Sequence, residues 1–377
     1  AMYGSIGKLG ITGFECATNQ AIAYCIPNTN SASLKFLFWA LQFYQTDLIE
    51  SGKGGVQKNI SQTVLKNFEI PLPPLSEQHR IVAKIEELFS NLDAGMADLQ
   101  AAGQQLERYR LSVLQAAVEG RLTADWRRTH DPEPADQLLD QIGEQRRAGW
   151  EERYRWNRYE SKGKEPPSGW KSRYKTPEQP ESNDKELPTT WSWATVQQVS
   201  FVGTGATPKR GNPDFWDGGK IPWVTSGALN AQYVEEAEEC ITEEALEETS
   251  CEVFPKHSLL IAMYGEGKTR GKVAELMIEA ATNQACAAVE VVGDKPALRE
   301  YLKVYFQKNY HDIRRQAAGG VQPNLNLGII RGINFPLPPL AEQKQIVGKV
   351  ERLLSVANDA AATADREHTR AERLRQS

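Results

Sequence analysis

The feature that most restricts the fold of this chain is a repeated block. IPLPPLSEQHRIVAKIEELFS begins at Ile70 and FPLPPLAEQKQIVGKVERLLS begins at Phe335, so Pro71 matches Pro336 at an offset of 265 residues. A period this long describes two large similar halves, not a solenoid. Pro71, Pro73 and Pro74 cannot sit inside a helix and hold the chain before them extended. Ser76 follows as the expected N-cap, with Glu77 and Gln78 in the first turn.

From Ser76 a helical pattern runs without proline until Pro132. Ile85, Leu92, Leu99, Leu106 and Val113 fall at seven-residue intervals, with Leu88, Ala102, Tyr109 and Ala116 at the d-like positions between them. Gly95 interrupts that second series, with Met96 beside it. A sustained heptad with polar flanks is a coiled-coil seam. A helix over 76–119 would be about 65 Å long at ~1.5 Å per residue. The second copy keeps the frame with smaller residues: Val350, Ala357, Ala364 and Ala371, then Leu353, Ala360 and Leu374. One seam is rich in Leu and the other in Ala, which interdigitate well, so the two helices are expected to pack antiparallel. An unpartnered rod would show water a long apolar stripe.

The length of 377 residues suggests two or three domains. The chain is 40% hydrophobic and 25% charged, an ordinary balance for a soluble protein. No apolar run approaches ~18 residues, which argues against a membrane-spanning helix, and no signal peptide is evident. Cys16, Cys25, Cys240, Cys251 and Cys286 form no CxxC pair and have no His at ligand spacing, which argues for free thiols in a reducing compartment and against zinc. The net charge of −5 does not advertise nucleic-acid binding, but net charge says little about a local face.

The repeat extends beyond the helices. MYGSIGKLG at Met2 matches MYGEGKTRG at Met263, ATNQA at Ala17 matches ATNQA at Ala281, and GGVQKNIS at Gly54 matches GGVQPNLN at Gly319. The stretch from about Leu187 to Met263 has no counterpart before Met2, so the chain begins within a repeat, as a fragment or in a permuted arrangement. AERLRQS at the C-terminus matches LERYRLS at Leu106, after which VLQAAVEGRLT would be expected.

Between the halves, 121–186 changes character. It is charged and aromatic, with one helical pattern near Asp136 to Trp156 and then Pro, Ser, Lys and Glu without periodicity. That composition cannot bury enough apolar surface to fold alone, and the expectation is a linker, partly helical and partly disordered. A docked arm touching DNA or a partner is the alternative, because Trp150, Tyr154, Trp156 and Tyr159 sit among arginines. From Leu187 a new globular domain begins. LPTTWSWATVQQVSFVGTG, IPWVTSGAL and SLLIAMYG read as strands and turns, while ALREYLKVYFQKN and the matching SLKFLFWALQF read as helices. The fold class is α/β or α+β, in domains joined by two long helices with a pseudo-two-fold repeat. The segments are 1–75, the C-terminal part of a first domain; 76–120, a central helix; 121–186, the linker; 187–340, a second domain; and 341–377, a distal helix.

LPTTWSWATV, the glycine turn around Gly265, the GGVQ loops, the PLPPL-[SA]-EQ-x2-IV block and LQAAVEGRLTADWR occur in order, and several occur twice. In this the chain resembles the specificity subunit of type I restriction–modification enzymes over nearly its whole length, N-terminally incomplete in that it lacks most of the first recognition domain. The resemblance implies two target-recognition domains, each reading half of a bipartite DNA sequence, on helices that space them and dock two methyltransferase subunits. It implies restriction and translocase subunits as further partners, and a bacterial or archaeal cytoplasm. S-adenosylmethionine, ATP and Mg2+ would belong to those partners, with no cofactor on this chain.

A pseudo-two-fold object on antiparallel rods suits two half-sites about one helical turn, ~34 Å, apart. Reading bases needs donors and acceptors on loops, backed by phosphate contacts. Candidates in the second half are Thr207, Lys209, Arg210 and Asn212; Lys268, Thr269, Arg270 and Lys272; and Arg314, Arg315, Gln322 and Asn324. In the first half they are Lys8, Lys53, Gln57, Lys58 and Asn59. Taken singly, each of them reads as solvated surface before it reads as a DNA contact; the three clusters carry the assignment as sets, and the GGVQ glycines read equally as turn residues.

Rival chemistries find little support. FVGTG at Phe201 and NPDF at Asn212 imitate adenine-methyltransferase motifs, but Asp214 replaces a proline and the two lie too close together. AMYGEGKT at Ala262 imitates a phosphate loop, but Ala262 stands where its first Gly is needed. No carboxylate cluster suits metal-assisted hydrolysis, and the five histidines neighbour no nucleophile. The chain reads as non-catalytic. A coiled-coil scaffold for protein partners, or a standalone adenine methyltransferase, are the alternatives.

Overall fold

The computed structural model describes residues 1–2, 6–51, 59–181, 185–265, 269–316 and 324–376. They form two compact units, Ala1–Gly103 with Ala362–Ser377, and Gln104–Ala361. No helix among the described residues is long and apolar enough to cross a membrane.

The smaller unit holds α1 (Leu34–Phe43), α2 (Gln45–Glu50), α3 (Gln62–Lys66) and the first part of α4 (Leu75–Val118). Its buried residues include Met2, Phe36, Leu48, Ile60 and Val82. Trp39 of α1 stacks on Phe89 of α4 with ring centroids 5.1 Å apart, and Lys35 pairs with Glu86 at 2.6 Å. The helix begins at Leu75, so Ser76 lies inside it instead of capping it. Pro74 carbonyl accepts from the backbone N–H of Glu77 and Gln78, which leaves Ser76 no capping task.

The larger unit continues from α4 into α5 (Ala124–Thr129), α6 (Ala135–Arg158), β1 (Ser192–Thr195), α7 (Val196–Val199) and β2 (Ser200–Thr204). There follow β3 (Ile221–Val224), β4 (Tyr233–Val234), β5 (Glu239–Ile241), α8 (Glu243–Glu248), β6 (Val253–Phe254), β7 (Leu259–Ala262), β8 (Val273–Leu276), β9 (Ala280–Thr282) and β10 (Cys286–Val291). Then come α9 (Pro296–Lys308), α10 (Tyr310–Gln316), α11 (Leu327–Arg331), β11 (Asn334–Leu337) and α12 (Leu340–Gln376).

One sheet has the order β2-β10-β7-β8-β4 and a second β5-β3-β9-β6, while β1 pairs with β11 alone. Strand β7, at the centre of the first sheet, is apolar throughout because both its faces are covered. Leu259 and Ile261 of β7 and Ala287 and Val289 of β10 face a core shared with α6, α9, α11 and the start of α12. Leu260, Ala262, Cys286 and Ala288 face a second core, shared with Val224 of β3 and Ala280 of β9. Helices, the first sheet and the second sheet thus form three layers, and a period of two along each strand sorts its residues between them.

Of residues 121–186, expected to be a partly disordered linker, the described stretch 121–181 is built into this unit. Ala135, Leu138 and Ile142 of α6 are buried in the helix-side core, and Arg146 is 7% exposed, with its Nε donating to Ser200 carbonyl at 3.4 Å. Beyond α6 the chain folds back, so that Trp150, Tyr154 and Trp170 stack and Tyr174 closes edge-on over Trp150. A segment of this composition could not fold alone; this one uses apolar surface supplied by the strands beside it.

The two long helices share a register that differs from the expected one. In α4 the sheltered positions include Ile85 and Phe89, Leu92 and Met96, Leu99 and Gly103, Leu106 and Arg110, Val113 and Ala117; of the expected second series Ala102 and Ala116 are half-buried as well, while Leu88 and Tyr109 are exposed. The second series therefore falls four residues after the first, not three, and Leu88 is 56% exposed. In α12 the same frame recurs 265 residues on, as Val350 and Leu354, Ala357 and Ala361, Ala364 and His368, and Ala371. Leu353 is half-buried beside Leu354, but Leu374 is 59% exposed and off the seam. Gly95 and Met96 carried the clue, since the series needs a large residue where Met96 stands. In the larger unit Val113, Leu114 and Ala117 share a core with Ile346, Val350 and Leu354, and Lys349 Nζ donates to Leu122 carbonyl at 2.8 Å. In the smaller unit Arg375 near the end of α12 pairs with Asp93 of α4 at 3.2 Å.

Candidate nucleic-acid interface

The loops beyond one end of the five-stranded sheet converge. The β7–β8 hairpin turn is closed by Gly271 N–H donating to Ala262 carbonyl and Lys272 N–H donating to Thr269 carbonyl. Met263 ties that turn to two neighbours: its N–H donates to Ala285 carbonyl at 2.7 Å, and its carbonyl accepts from Leu325 N–H at 3.2 Å. The β9–β10 loop and the segment preceding α11 are thereby fixed against the hairpin. Gly205, after β2, approaches so closely that a Cβ there would lie 1.8 Å from Thr282 carbonyl oxygen, so only glycine fits.

Polar side chains from four loops meet on this scaffold. Thr207 Oγ1 donates to Gln284 Oε1 at 2.7 Å. Lys272 Nζ donates to Asn230 Oδ1 at 2.9 Å, and Thr269 Oγ1 lies 3.5 Å from the same oxygen. Arg314 of α10 donates to Arg270 carbonyl at 2.8 Å and to the Tyr310 hydroxyl at 2.9 Å, with its guanidinium over that ring. Sequence spacing had grouped Thr269, Arg270 and Lys272; the fold adds Arg314, Asn230 and Gln284. Gln284 lies in the repeated ATNQA, a signal that could have found it. Asn230 carries no comparable sequence signal.

Lys209 is exposed. Arg210 is committed to structural partners: both its terminal nitrogens bond Glu239, and its guanidinium lies 4.1 Å from the Trp216 ring centroid and 4.9 Å from that of Trp223. The hydrogen bond from Arg210 holds the Glu239 carboxyl below the usual range. Asn212 caps a 3-10 turn over Pro213–Phe215 and accepts from Asp214 N–H at 3.3 Å. Arg315 is exposed and paired with Asp312; Asn324, Lys8 and Asn59 are exposed. Lys53, Gln57, Lys58, Lys268 and Gln322 lie outside the described residues.

The rival motifs are structural here. The first four residues of FVGTG lie in strand β2 and its last, Gly205, makes the close approach, while NPDF is the capped 3-10 turn. Among the described residues no group of three or more His, Cys, Asp or Glu could hold a metal ion. Burial pushes the Cys286 thiol up to about 12, which leaves it a small apolar core residue.

The sequence profile of the type I restriction modification DNA specificity domain matches residues 1–100 and 188–363, well over half of the chain. The chain belongs to that family. It is 34% identical over 128 residues to the type I restriction enzyme EcoBI specificity subunit of Escherichia coli, covering 33% of this chain and 27% of that protein. To the EcoDI specificity subunit of the same organism it is 23% identical over 331 residues, covering 86% of this chain and 63% of that one. The chain thus spans less than two thirds of the length of these curated relatives. Its fold is similar to the HsdS subunit from Thermoanaerobacter tengcongensis, with TM-score 0.53 at 18% identity over 93% of this chain and 69% of that one. A chain from a structure describing complex assembly and conformational transition of the type I R-M system gives TM-score 0.60 at 18% identity, covering 93% and 70%.

Proposed function

We propose that this chain is a non-catalytic DNA sequence-specificity subunit that reads a duplex target and assembles two methyltransferase subunits around it. The observation that carries the reading is the family match over both halves, supported by the loop cluster at one end of the five-stranded sheet. Thr207, Gln284, Asn230, Thr269 and Lys272 offer donors and acceptors on a rigid frame, the chemistry that base-edge readout in the major groove needs. Arg270, Arg314 and Lys209 supply phosphate-directed charge around it. The paired helices α4 and α12 set the unread spacer between half-sites and offer their outer faces to the methyltransferases. Those partners would bring S-adenosylmethionine, and restriction–translocase subunits ATP and Mg2+, in the cytoplasm of a bacterium or archaeon.

The test is adenine-methylation mapping. The gene is co-expressed with its neighbouring methyltransferase in a methylation-free host, and the genome is sequenced. A split motif with a fixed unspecified spacer is expected. No new methylated motif, with both proteins soluble and bound to each other, would overturn the reading in favour of a protein scaffold.

A further inference from the structure

The family profile stops at residue 100 and resumes at 188, so α6 and the fold-back after it lie outside the match. This segment has a charge of its own. Residues 146–175 carry ten Lys or Arg against four Glu, a net of +6 in a chain whose total is −5. Several of those cations are spent internally: Arg153 on Glu290, Arg155 on Glu160, and Arg147 and Lys171 on Glu151. Arg158, Lys162 and Lys164 are exposed and have no side-chain partner among the described residues.

Their place in the fold follows from how α6 lies on the sheet. Gln145 lies beside Gly293, beyond the end of β10, and Arg146 bonds Ser200 carbonyl at the start of β2 with its guanidinium 5.2 Å from the Phe201 ring centroid; Arg153, two turns on, lies 4.4 Å over the same ring and pairs with Glu290, the cross-strand neighbour of Phe201. Arg153 is also within electrostatic reach of Glu252, which packs beside Gly203. Helix and strand therefore advance together toward the end of the sheet where Thr207 and Gln284 meet. The next turn is held in shape: Lys164 N–H donates to Tyr159 carbonyl at 3.0 Å, Gly163 takes φ +61°, and the Tyr159 ring meets Tyr154 in the aromatic stack.

We propose that Arg158, Lys162 and Lys164 form a phosphate rail that grips duplex DNA beside the target loops, adding affinity without reading sequence. Free cations on a preformed turn at the reading end of the sheet match a polyphosphate backbone in sign and in spacing tolerance. The inference rests on the DNA-reading function proposed above.

The test measures binding of the full chain to a random-sequence duplex across a salt series, and to its own target once mapped. The variant is R158A/K162A/K164A, with R121A/R128A, both ion-paired in the native protein, as the charge control. Each lost phosphate contact removes about 0.9 from the slope of log K against log salt, so the triple variant should lose about 2–3. The ratio of target to random affinity should stay unchanged, and R158K/K162R/K164R should restore the slope. An unchanged slope in the alanine variant, or an equal drop in the control, overturns the rail alone. So does a collapse of the target-to-random ratio, which would make these residues readers. A wild-type chain that binds no duplex at any salt defeats the underlying function and the rail with it.

Discussion

Gln78 and Gln343 stand 265 residues apart, and the side-chain amide of each donates to the carbonyl of the proline five residues before it, Pro73 and Pro338, at 2.8 Å in both. Each therefore pins the proline turn to the first turn of its long helix. Gln78 goes further. Its amide also reaches Ser31 carbonyl at 2.9 Å, and its Oε1 accepts from Ser33 N–H at 2.8 Å, at the start of α1. Gln343 Oε1 is buried without a partner among the described residues. At about 1 kcal/mol for each hydrogen bond, Gln78→Leu should cost about 2–3 kcal/mol and Gln343→Leu about 1. Amide hydrogen exchange at Ser33 should accelerate in the first variant only.

Glu342 should be the most sensitive carboxylate on the long helices. It is fully buried and takes hydrogen bonds from Thr123 at 2.5 Å, Trp191 Nε1 at 2.8 Å, and Arg127. Gly120, at φ +72° after α4, brings Arg127 and Trp191 close, and a Cβ there would meet both within about 3.1 Å. Glu342→Ala leaves the half-buried Arg127 without its counter-charge and Thr123 and Trp191 Nε1 without their acceptor, at about 3 kcal/mol by urea denaturation, with a red shift of Trp191 emission. The repeat-equivalent Glu77 is exposed, and Glu77→Ala should stay within about 0.5 kcal/mol.

The helix register is open to a direct comparison. Phe89→Ala removes the ring stacked on Trp39 and should cost about 2–3 kcal/mol. Leu88→Ala, one residue earlier and 56% exposed, should change stability by less than about 0.5 kcal/mol. Equal effects in chemical denaturation would return the seam to the three-residue spacing.

Acid should attack the larger unit at Glu275. Burial acts to raise this carboxyl, but hydrogen bonds from His257 and Lys303, with the charges of Lys303 and Arg299, outweigh it and hold the group below its usual range. A depressed native value means that the contribution is complete above the ordinary glutamate range, near ~4.3, and is lost as pH falls through the native value. Stability measured against pH should therefore bend downward below that range. Glu275→Gln should flatten the bend while lowering stability at neutral pH, because Lys303, 4% exposed, loses its counter-charge.

The loop cluster divides into two behaviours. Gln284→Ala should relax discrimination at one base position by about 1–3 kcal/mol. Substituting Lys209, an exposed cation, with alanine should weaken binding to all sequences alike and reduce the salt slope by about 1. Parallel binding curves on target and single-mismatch duplexes separate them.

Much of this architecture could be read without coordinates, because it rests on local rules. Prolines at fixed positions end an extended segment, an uninterrupted heptad makes a long helix, and an offset of 265 residues pairs two such helices. The short apolar run in SLLIAMYG and the helical pattern of ALREYLKVYFQKN likewise mark β7 and α9. What local rules could not supply was whatever depends on a distant partner. The seam lies through Phe89 and not Leu88 because Trp39 waits there, and a heptad with two apolar candidates side by side does not say which faces in. Residues 135–158 fold because α7, β1 and β2 lend them a surface, which composition cannot show. Gln284 and Asn230 join the candidate interface only because the loops after β2, β3, β7 and β9 meet in space. Burial, hydrogen-bond satisfaction and charge pairing belong to residues brought together by the whole fold, and so to the tertiary structure.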